Sequence, residues 1–117
     1  VFLLDEFVKA KVKMLEDTIN KHFTITTFKM ANVLVNGSVE DCCETMVDGV
    51  PYRSLNNAAR INAGIDIINA LTKFYNVTAP VFIDNAEAVT KFVNCNSQTV
   101  KLIVDETCKE LRVDMEV

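Results

Sequence analysis

The sequence contains little glycine or proline and no tryptophan: 3 glycines and 2 prolines occur in 117 residues. This scarcity excludes a collagen-like fibre and a low-complexity linker. No run of about 18 apolar residues is present, so the sequence predicts no membrane-spanning helix. Hydrophobic residues make up 50% of the chain and charged residues 24%, a composition typical of one folded domain. The net charge of −4 argues against an autonomous nucleic-acid-binding protein.

Patterns of metal-binding residues are also missing. The four cysteines form no Cys-x-x-Cys pair, and His22 is the only histidine. This spacing argues against a zinc site and favours reduced thiols, so we expect a cytoplasmic protein without disulfide bonds. The cysteines are Cys42, Cys43, Cys95 and Cys108.

Residues 1–21 predict an amphipathic helix. Apolar residues recur at spacings of three and four, and charged residues occupy much of the remaining surface. A helix packed on a core is the simplest interpretation, and the end of a coiled-coil arm has the same pattern. Because the pattern is already under way at Val1, we expect the chain to be a segment of a longer protein. The apolar residues are Val1, Leu4, Val8, Val12, Leu15 and Ile19.

Residues 22–50 have the composition of antiparallel strands. Phe23, Ile25 and Phe28 lie among threonines, and Asn36-Gly37 is a strong hairpin turn signal between two strand-like runs, 32–35 and 38–47. A second turn is predicted at Asp48-Gly49. We therefore expect a hairpin or a small antiparallel meander here.

The period changes to that of a helix over residues 54–75, with Ser54 as the expected N-cap. This helix is apolar around most of its circumference, which predicts that it is largely buried. The polar residues collect on one narrow stripe, which we expect to be more exposed. The predicted buried residues are Ile61, Ile65, Ile68 and Phe74, and the predicted exposed residues are Asn62, Asp66, Asn69 and Lys73.

The C-terminal third predicts short strands. Residues 81–83 are an apolar run typical of a buried parallel strand, and the run ends at Asp84. A short helix is expected over 85–92, and further strands over 99–104 and 111–117. The order of elements predicts a single α/β or mixed α+β domain with an N-terminal helix and a core in residues 22–117.

Asp84 is the sharpest candidate for chemistry. Ligands of α/β proteins collect at the carboxyl ends of parallel strands, where a carboxylate can hold Mg²⁺ directly or through water. An apolar run followed by aspartate is nevertheless common. A stand-alone magnesium-dependent hydrolase that uses Asp84 and Glu87 has thin support, because no nucleophile or histidine lies near these two carboxylates in the sequence.

The chain resembles the C-terminal lobe of the ABC-type ATPase heads of SMC, RecN and RecF proteins, and in particular the SMC-like ATPases of bacteria and phages. Two segments carry the resemblance: Leu55-Asn-Asn-Ala-Ala-Arg60 and Phe82-Ile-Asp-Asn-Ala-Glu87. In that family a coiled-coil end and a strand pair precede a signature loop. The loop opens a long buried helix, and a Walker B strand and a switch strand follow. The resemblance covers nearly the whole chain and implies a partial P-loop NTPase-like head lobe.

The resemblance implies a cofactor-binding role for the start of the second helix. Leu55 takes the position of the signature leucine, Asn56 that of the signature serine, and Asn57 and Ala58 those of the two glycines. Glycines let backbone N–H groups approach a phosphate closely. Without them, an asparagine side chain at the helix start could donate to the γ-phosphate instead.

The resemblance also implies roles for three residues after the apolar run. Asp84 takes the position of the Walker B aspartate, which is the Mg²⁺ partner. Asn85 stands where the family has a water-positioning glutamate, and an amide cannot accept a proton as a carboxylate can. Either hydrolysis is slow or Glu87 takes the catalytic role. The other interpretation of Glu87 is a first-turn acid that the helix dipole favours.

The phosphate-binding loop of such ATPases is missing, because no G-x-x-x-x-G-K-[ST] motif occurs. The resemblance therefore implies that ATP and Mg²⁺ bind the intact parent protein, in which an N-terminal lobe of the same chain supplies this loop. Such parents act in DNA repair and other DNA transactions. We expect the isolated chain to bind neither cofactor tightly. The alternative is a non-enzymatic α/β interaction module that forms a homodimer through its N-terminal helix.

Overall fold

The protein has a mixed α+β fold of two helices and two small sheets. A computed structural model describes residues 1–116. The elements are helix α1 (Phe2–Asn20), strands β1 (Thr26–Val33), β2 (Val39–Val47) and β3 (Val50–Pro51), a 3₁₀ turn (Tyr52–Ser54), helix α2 (Asn57–Tyr75), strand β4 (Val81–Ile83), a 3₁₀ turn (Ala86–Ala88) and strand β5 (Thr99–Lys101).

The molecule is elongated, with principal extents of 67 × 31 × 17 Å. Its radius of gyration is 18.9 Å, whereas a compact domain of this length has about 13 Å. Strands β1, β2 and β3 form an antiparallel sheet in that order, and β4 pairs with β5 in parallel. Neither helix in residues 1–116 is long and apolar enough to cross a membrane.

The predicted hairpin over residues 22–50 is confirmed. Strands β1 and β2 are joined through Asn36-Gly37, and Gly37 has a φ of 83° that glycine adopts without strain. Asp48 and Gly49 connect β2 to β3, and both have positive φ, as the two central residues of a type I′ turn require. The turn residues therefore set the pairing next to each turn, whereas an irregularity between Lys29 and Ala31 shifts the β1–β2 register by one residue farther along the hairpin.

Helix side chains cover the outer edge of strand β1. An open strand edge presents unpaired N–H groups to other chains. Here three alternate N–H groups of β1 each donate to a side-chain oxygen of α1 or α2, and we call the three acceptor residues the acceptor ladder. The pairs are Thr26 with Asp66, Phe28 with Asn20, and Met30 with Glu16.

The helix predicted over residues 54–75 is confirmed as α2, but the prediction of Ser54 as its N-cap is wrong. Ser54 belongs to a 3₁₀ turn that a bond from Leu55 N to Tyr52 O closes, so the helix begins only after Asn56. The Oδ1 atom of Asn56 accepts from Ala59 N at 2.8 Å and caps the helix.

A small core lies between α2 and the parallel strands. Ile65, Ile83 and Ala86 are buried together. Phe74, which we predicted to be buried, is 79% exposed, because the core cluster contacts α2 at Ile61 and Ile65 and does not reach the last turns of the helix. Asp66, which we predicted to be exposed, is only 2% exposed. Partly buried residues around the core are Ile61, Val81, Phe92, Val93 and Cys95.

The C-terminal predictions are partly wrong. The segment 85–92 contains a three-residue 3₁₀ turn instead of a helix, since Val89 returns to an extended conformation. Strand β5 ends at Lys101, and residues 111–116 form no strand because no sheet edge in the described part of the chain pairs with them. The last predicted strand residue, Val117, lies outside the described residues.

Candidate functional site

Asp84 lies directly after strand β4, at the carboxyl end of the parallel strand pair. Strand β4 is parallel to β5, as predicted, but the predicted burial is wrong for Phe82, which is 69% exposed because one face of the two-stranded sheet is uncovered. The backbone pairing continues past the strands through a bond from Leu102 N to Ile83 O at 2.8 Å. Asp84 is exposed, and its Oδ1 atom accepts from Asn85 N at 2.8 Å. This places a solvent-facing carboxylate where α/β proteins bind ligands.

The chain turns sharply after Asp84. Asn85 has φ 54° and ψ 40°, in the left-handed region that asparagine tolerates better than most residues. The 3₁₀ turn that follows is anchored by buried Ala86, whereas Glu87 is exposed. The structure thus brings Asp84, Asn85 and Glu87 into one exposed turn. Because that turn has three residues, its dipole offers Glu87 little stabilisation.

The residues at the signature-like position surround the start of α2. Asn56 and Asn57 are exposed, and Leu55 and Ala58 are half-buried. Since Asn56 Oδ1 accepts from Ala59 N, the amide nitrogen of Asn56 is the side-chain group that could donate to a phosphate. The exposed N–H groups of the first helical turn would add to such binding.

Arg60 fixes the approach to this helix start. Its Nη2 atom donates to Arg53 O at 2.7 Å, its Nε atom donates to Tyr52 O at 3.3 Å, and its guanidinium lies 5.7 Å from the Tyr52 ring centroid. Arg53 in turn lies 3.7 Å from a carboxylate oxygen of Glu44 on β2. These contacts hold the 3₁₀ turn against α2 and so position Asn56.

Lys73 of the polar stripe of α2 is exposed, as predicted, but Asn62 and Asn69 are half-buried and bind backbone. Asn62 and Asn69 each donate to one carbonyl and accept from one N–H of the irregular segment 91–96, at 2.7–2.9 Å. The bonds join Asn62 to Lys91 O and Val93 N, and Asn69 to Asn94 O and Asn96 N. The sequence contained a signal for these hydrogen bonds, because polar residues on a helix that is predicted to be buried need hydrogen-bond partners.

Asp66 occupies the middle of the same stripe and binds the other side of the molecule. Its Oδ1 atom accepts from Thr24 N at 3.0 Å, and its Oδ2 atom accepts from Ile25 N and Thr26 N at 2.9 Å. Burial raises the pKa of this carboxyl, but the bonds from the three backbone N–H groups outweigh burial and hold the pKa below its ordinary value of 3.8. Asp66 is therefore ionised at neutral pH.

The Asp66→Asn variant is expected to be less stable by about 1–3 kcal/mol at neutral pH, because buried N–H donors lose an ionised acceptor. Since the folded-state pKa is lowered, this contribution is present above the ordinary carboxyl pKa and is lost as pH falls through the lowered value. Urea unfolding at pH 7 and below pH 4 measures the difference. Lys73→Ala, an exposed change on the same helix, is the control. A stability difference that does not shrink in acid would contradict this assignment.

The described part of the chain holds no group of potential metal ligands, and the comparisons with known proteins found no match. Among residues 1–116, no three His, Cys, Asp or Glu side chains lie close enough to hold a metal ion together. No protein-family model matches the sequence, and no curated protein or solved structure matches it either. The geometry around Asp84 and α2 is therefore the basis for proposing a function.

Proposed function

We propose that the chain is the C-terminal lobe of an SMC-like, P-loop NTPase-like ATPase head, and that it contributes degenerate signature and Walker B elements to ATP hydrolysis in a larger parent protein. One observation carries the proposal: Asp84 is exposed at the carboxyl end of a strand that pairs in parallel with the next strand. A long capped helix precedes this strand, in the order that the resemblance requires.

Asp84 has the donor chemistry that Mg²⁺ needs. Its Oδ1 atom is engaged by Asn85 N, so Oδ2 is available as a ligand. Mg²⁺ in nucleotide sites takes one or two carboxylates together with water and phosphate oxygens, so a single exposed aspartate fits. When bound, the ion would neutralise charge on the phosphates. Asn85 would orient water through its amide, and Glu87 would act as a base if the turn moves it toward the nucleotide.

The uncovered face of the parallel sheet supports the proposal that a second lobe of the parent protein packs on it. Parallel sheets are normally covered on both faces. The face of β4 that carries Phe82 is exposed, and the apolar residues after β5, Leu102, Ile103 and Val104, are exposed as well. An N-terminal lobe of the same parent chain would cover this apolar surface and supply the phosphate-binding loop.

The two faces of helix α1 support the proposal that this helix belongs to the coiled-coil arm of such a head. Its inner face uses Glu16 and Asn20 to bind the edge of β1. Its outer face exposes Leu4, Phe7 and Met14, at a coiled-coil spacing. This outer face favours pairing with another helix, which in the proposed parent is a helix of the same chain. It equally favours the second candidate, an interaction module that forms a homodimer.

The isolated chain is expected to hydrolyse no ATP and to show no micromolar binding of Mg-ATP, because the lysine-containing phosphate loop is missing. Calorimetry with Mg-ATP and a phosphate-release assay test this. The intact parent is expected to hydrolyse ATP in the presence of Mg²⁺, and a parent without this activity would refute the proposal. Sedimentation of the isolated chain tests the second candidate, since a dimer that Phe7→Lys dissociates would favour an interaction module.

A further inference from the structure

The described chain consists of two units that meet across a cleft. We define the arm unit as residues 2–47, which comprise α1, β1 and β2, and the head unit as residues 57–101, which comprise α2, β4 and β5. The cleft has a volume of about 760 Å³ and lies between Thr24–Thr27 and Val47 of the arm unit and α2 and residues 91–94 of the head unit. The buried core cluster belongs entirely to the head unit. The two units therefore share no continuous apolar core.

Asp66 makes the hydrogen bonds that cross between these units. In residues 1–116, the side-chain hydrogen bonds between the arm unit and the head unit are those from Thr24, Ile25 and Thr26 to the Asp66 carboxylate. The inner end of the contact is buried, because Thr26 is 1% exposed and Asp66 is 2% exposed, whereas Thr24 lies at the cleft and is exposed. The other connection is the chain itself at residues 48–56, which Arg60 braces through the 3₁₀ turn.

We propose that Asp66 is a positioning residue that pins the arm unit to helix α2 and so fixes the direction in which α1 projects from the head unit. A carboxylate suits this task because it only accepts hydrogen bonds, and three N–H donors converge on its two oxygens. No cation competes for it, since none of the ion pairs in the described chain includes Asp66.

We call the contact of Asp66 with the N–H groups of Thr24–Thr26 the pin, and it has a consequence that rests on the proposed function. Helix α2 begins at the signature-like residues, and the acceptor ladder joins α2 to β1 and β1 to α1. A movement of α2 on nucleotide binding would therefore reach α1 through Asp66 as a rigid-body movement. Without the pin, the arm would move independently of the nucleotide site.

Amide hydrogen exchange on the 117-residue chain tests the pin directly. Asp66→Asn is expected to speed exchange at the amides of Thr24–Thr26 by at least about tenfold, with the Phe28 amide unchanged because Asn20 holds it. The matched control is Asn62→Ala, which removes contacts within the head unit only. Equal exchange in Asp66→Asn and the unmodified chain would overturn the proposal.

A distance measurement tests whether the pin sets direction. Spin labels at Lys13→Cys on α1 and Lys73→Cys on α2, with the four native cysteines replaced by serine, report the distribution of distances between the two helices. We expect a narrow distance distribution that broadens in Asp66→Asn and stays narrow in Asn62→Ala. Narrow distributions in both variants would refute a positioning role.

Two further outcomes separate this inference from the proposed function. If Asp66→Asn fails to fold, nuclear magnetic resonance on the unmodified chain replaces it: the amide shifts of Thr24–Thr26 should titrate together with the Asp66 carboxyl, and independent titration would refute the pin. If the pin is present but the intact parent hydrolyses no ATP, the ATPase proposal fails and the pin stands. If the parent hydrolyses ATP and the exchange is unchanged, only the pin fails.

Discussion

Asp84→Asn in the intact parent protein is expected to lower the rate of Mg²⁺-dependent ATP hydrolysis by at least about 100-fold. In the proposed site Asp84 would supply the charged oxygen that Mg²⁺ prefers, and an asparagine at the exposed end of β4 has no such charge. A steady-state phosphate-release assay measures the effect. Asp105→Asn is the matched control, because Asp105 is also exposed but accepts hydrogen bonds from Thr107 within its own turn.

Two companion variants assign the water-positioning role. Asn85→Glu places a carboxylate where the resembled ATPases have a glutamate, and it is expected to raise the rate, because a carboxylate orients and deprotonates water better than an amide. Glu87→Gln is expected to cause a large loss if Glu87 is the base and none if it is not. If all three variants hydrolyse ATP at the rate of the unmodified parent, β4 is not a Walker B strand and the ATPase proposal falls.

Ile65→Ala is expected to lower the free energy of unfolding by about 2–5 kcal/mol, because the substitution leaves a cavity in the only buried cluster of the described chain. Ile65 is 2% exposed and packs with Ile83 and Ala86. Leu71→Ala on the same helix is the control, since Leu71 is 49% exposed and its loss should cost less than about 1 kcal/mol.

Urea unfolding followed by circular dichroism measures both variants. If Ile65→Ala lost less than about 1 kcal/mol, this face of α2 would not be a core, and the packing of α2 against β4 would be wrong.

Local signals in the sequence were sufficient for the two helices and the hairpin. The three-and-four spacing identified α1 and α2, and the turn residues at Asn36-Gly37 and Asp48-Gly49 identified the two turns of the antiparallel sheet. These features depend on neighbours a few residues apart. The same locality explains why β4 was found from its apolar run and from the aspartate that ends it.

The exposure of the α2 stripe could not be predicted in this way. A narrow polar stripe on a helix faces solvent unless another part of the chain brings hydrogen-bonding groups to it. Asp66 meets backbone donors about 40 residues earlier in the chain, and Asn62 meets backbone about 30 residues later. The prediction of a strand at 111–117 was wrong for a related reason. Alternation of apolar and polar residues identifies the two faces of a strand, but it does not show which sheet edge the strand would pair with.

The asparagine contacts of α2 have a consequence for how freely the sequence of segment 91–96 can vary. Asn62 and Asn69 bind only main-chain atoms of the segment, so these hydrogen bonds do not depend on which side chains the segment carries. Proline at position 93 or 96 is the exception, because the N–H groups of Val93 and Asn96 are donors in these hydrogen bonds. The exposed positions of the segment, Lys91, Asn94 and Asn96, can therefore change their surface chemistry while the path of the segment along α2 stays the same, whereas Phe92, Val93 and Cys95 are held by their packing around the core.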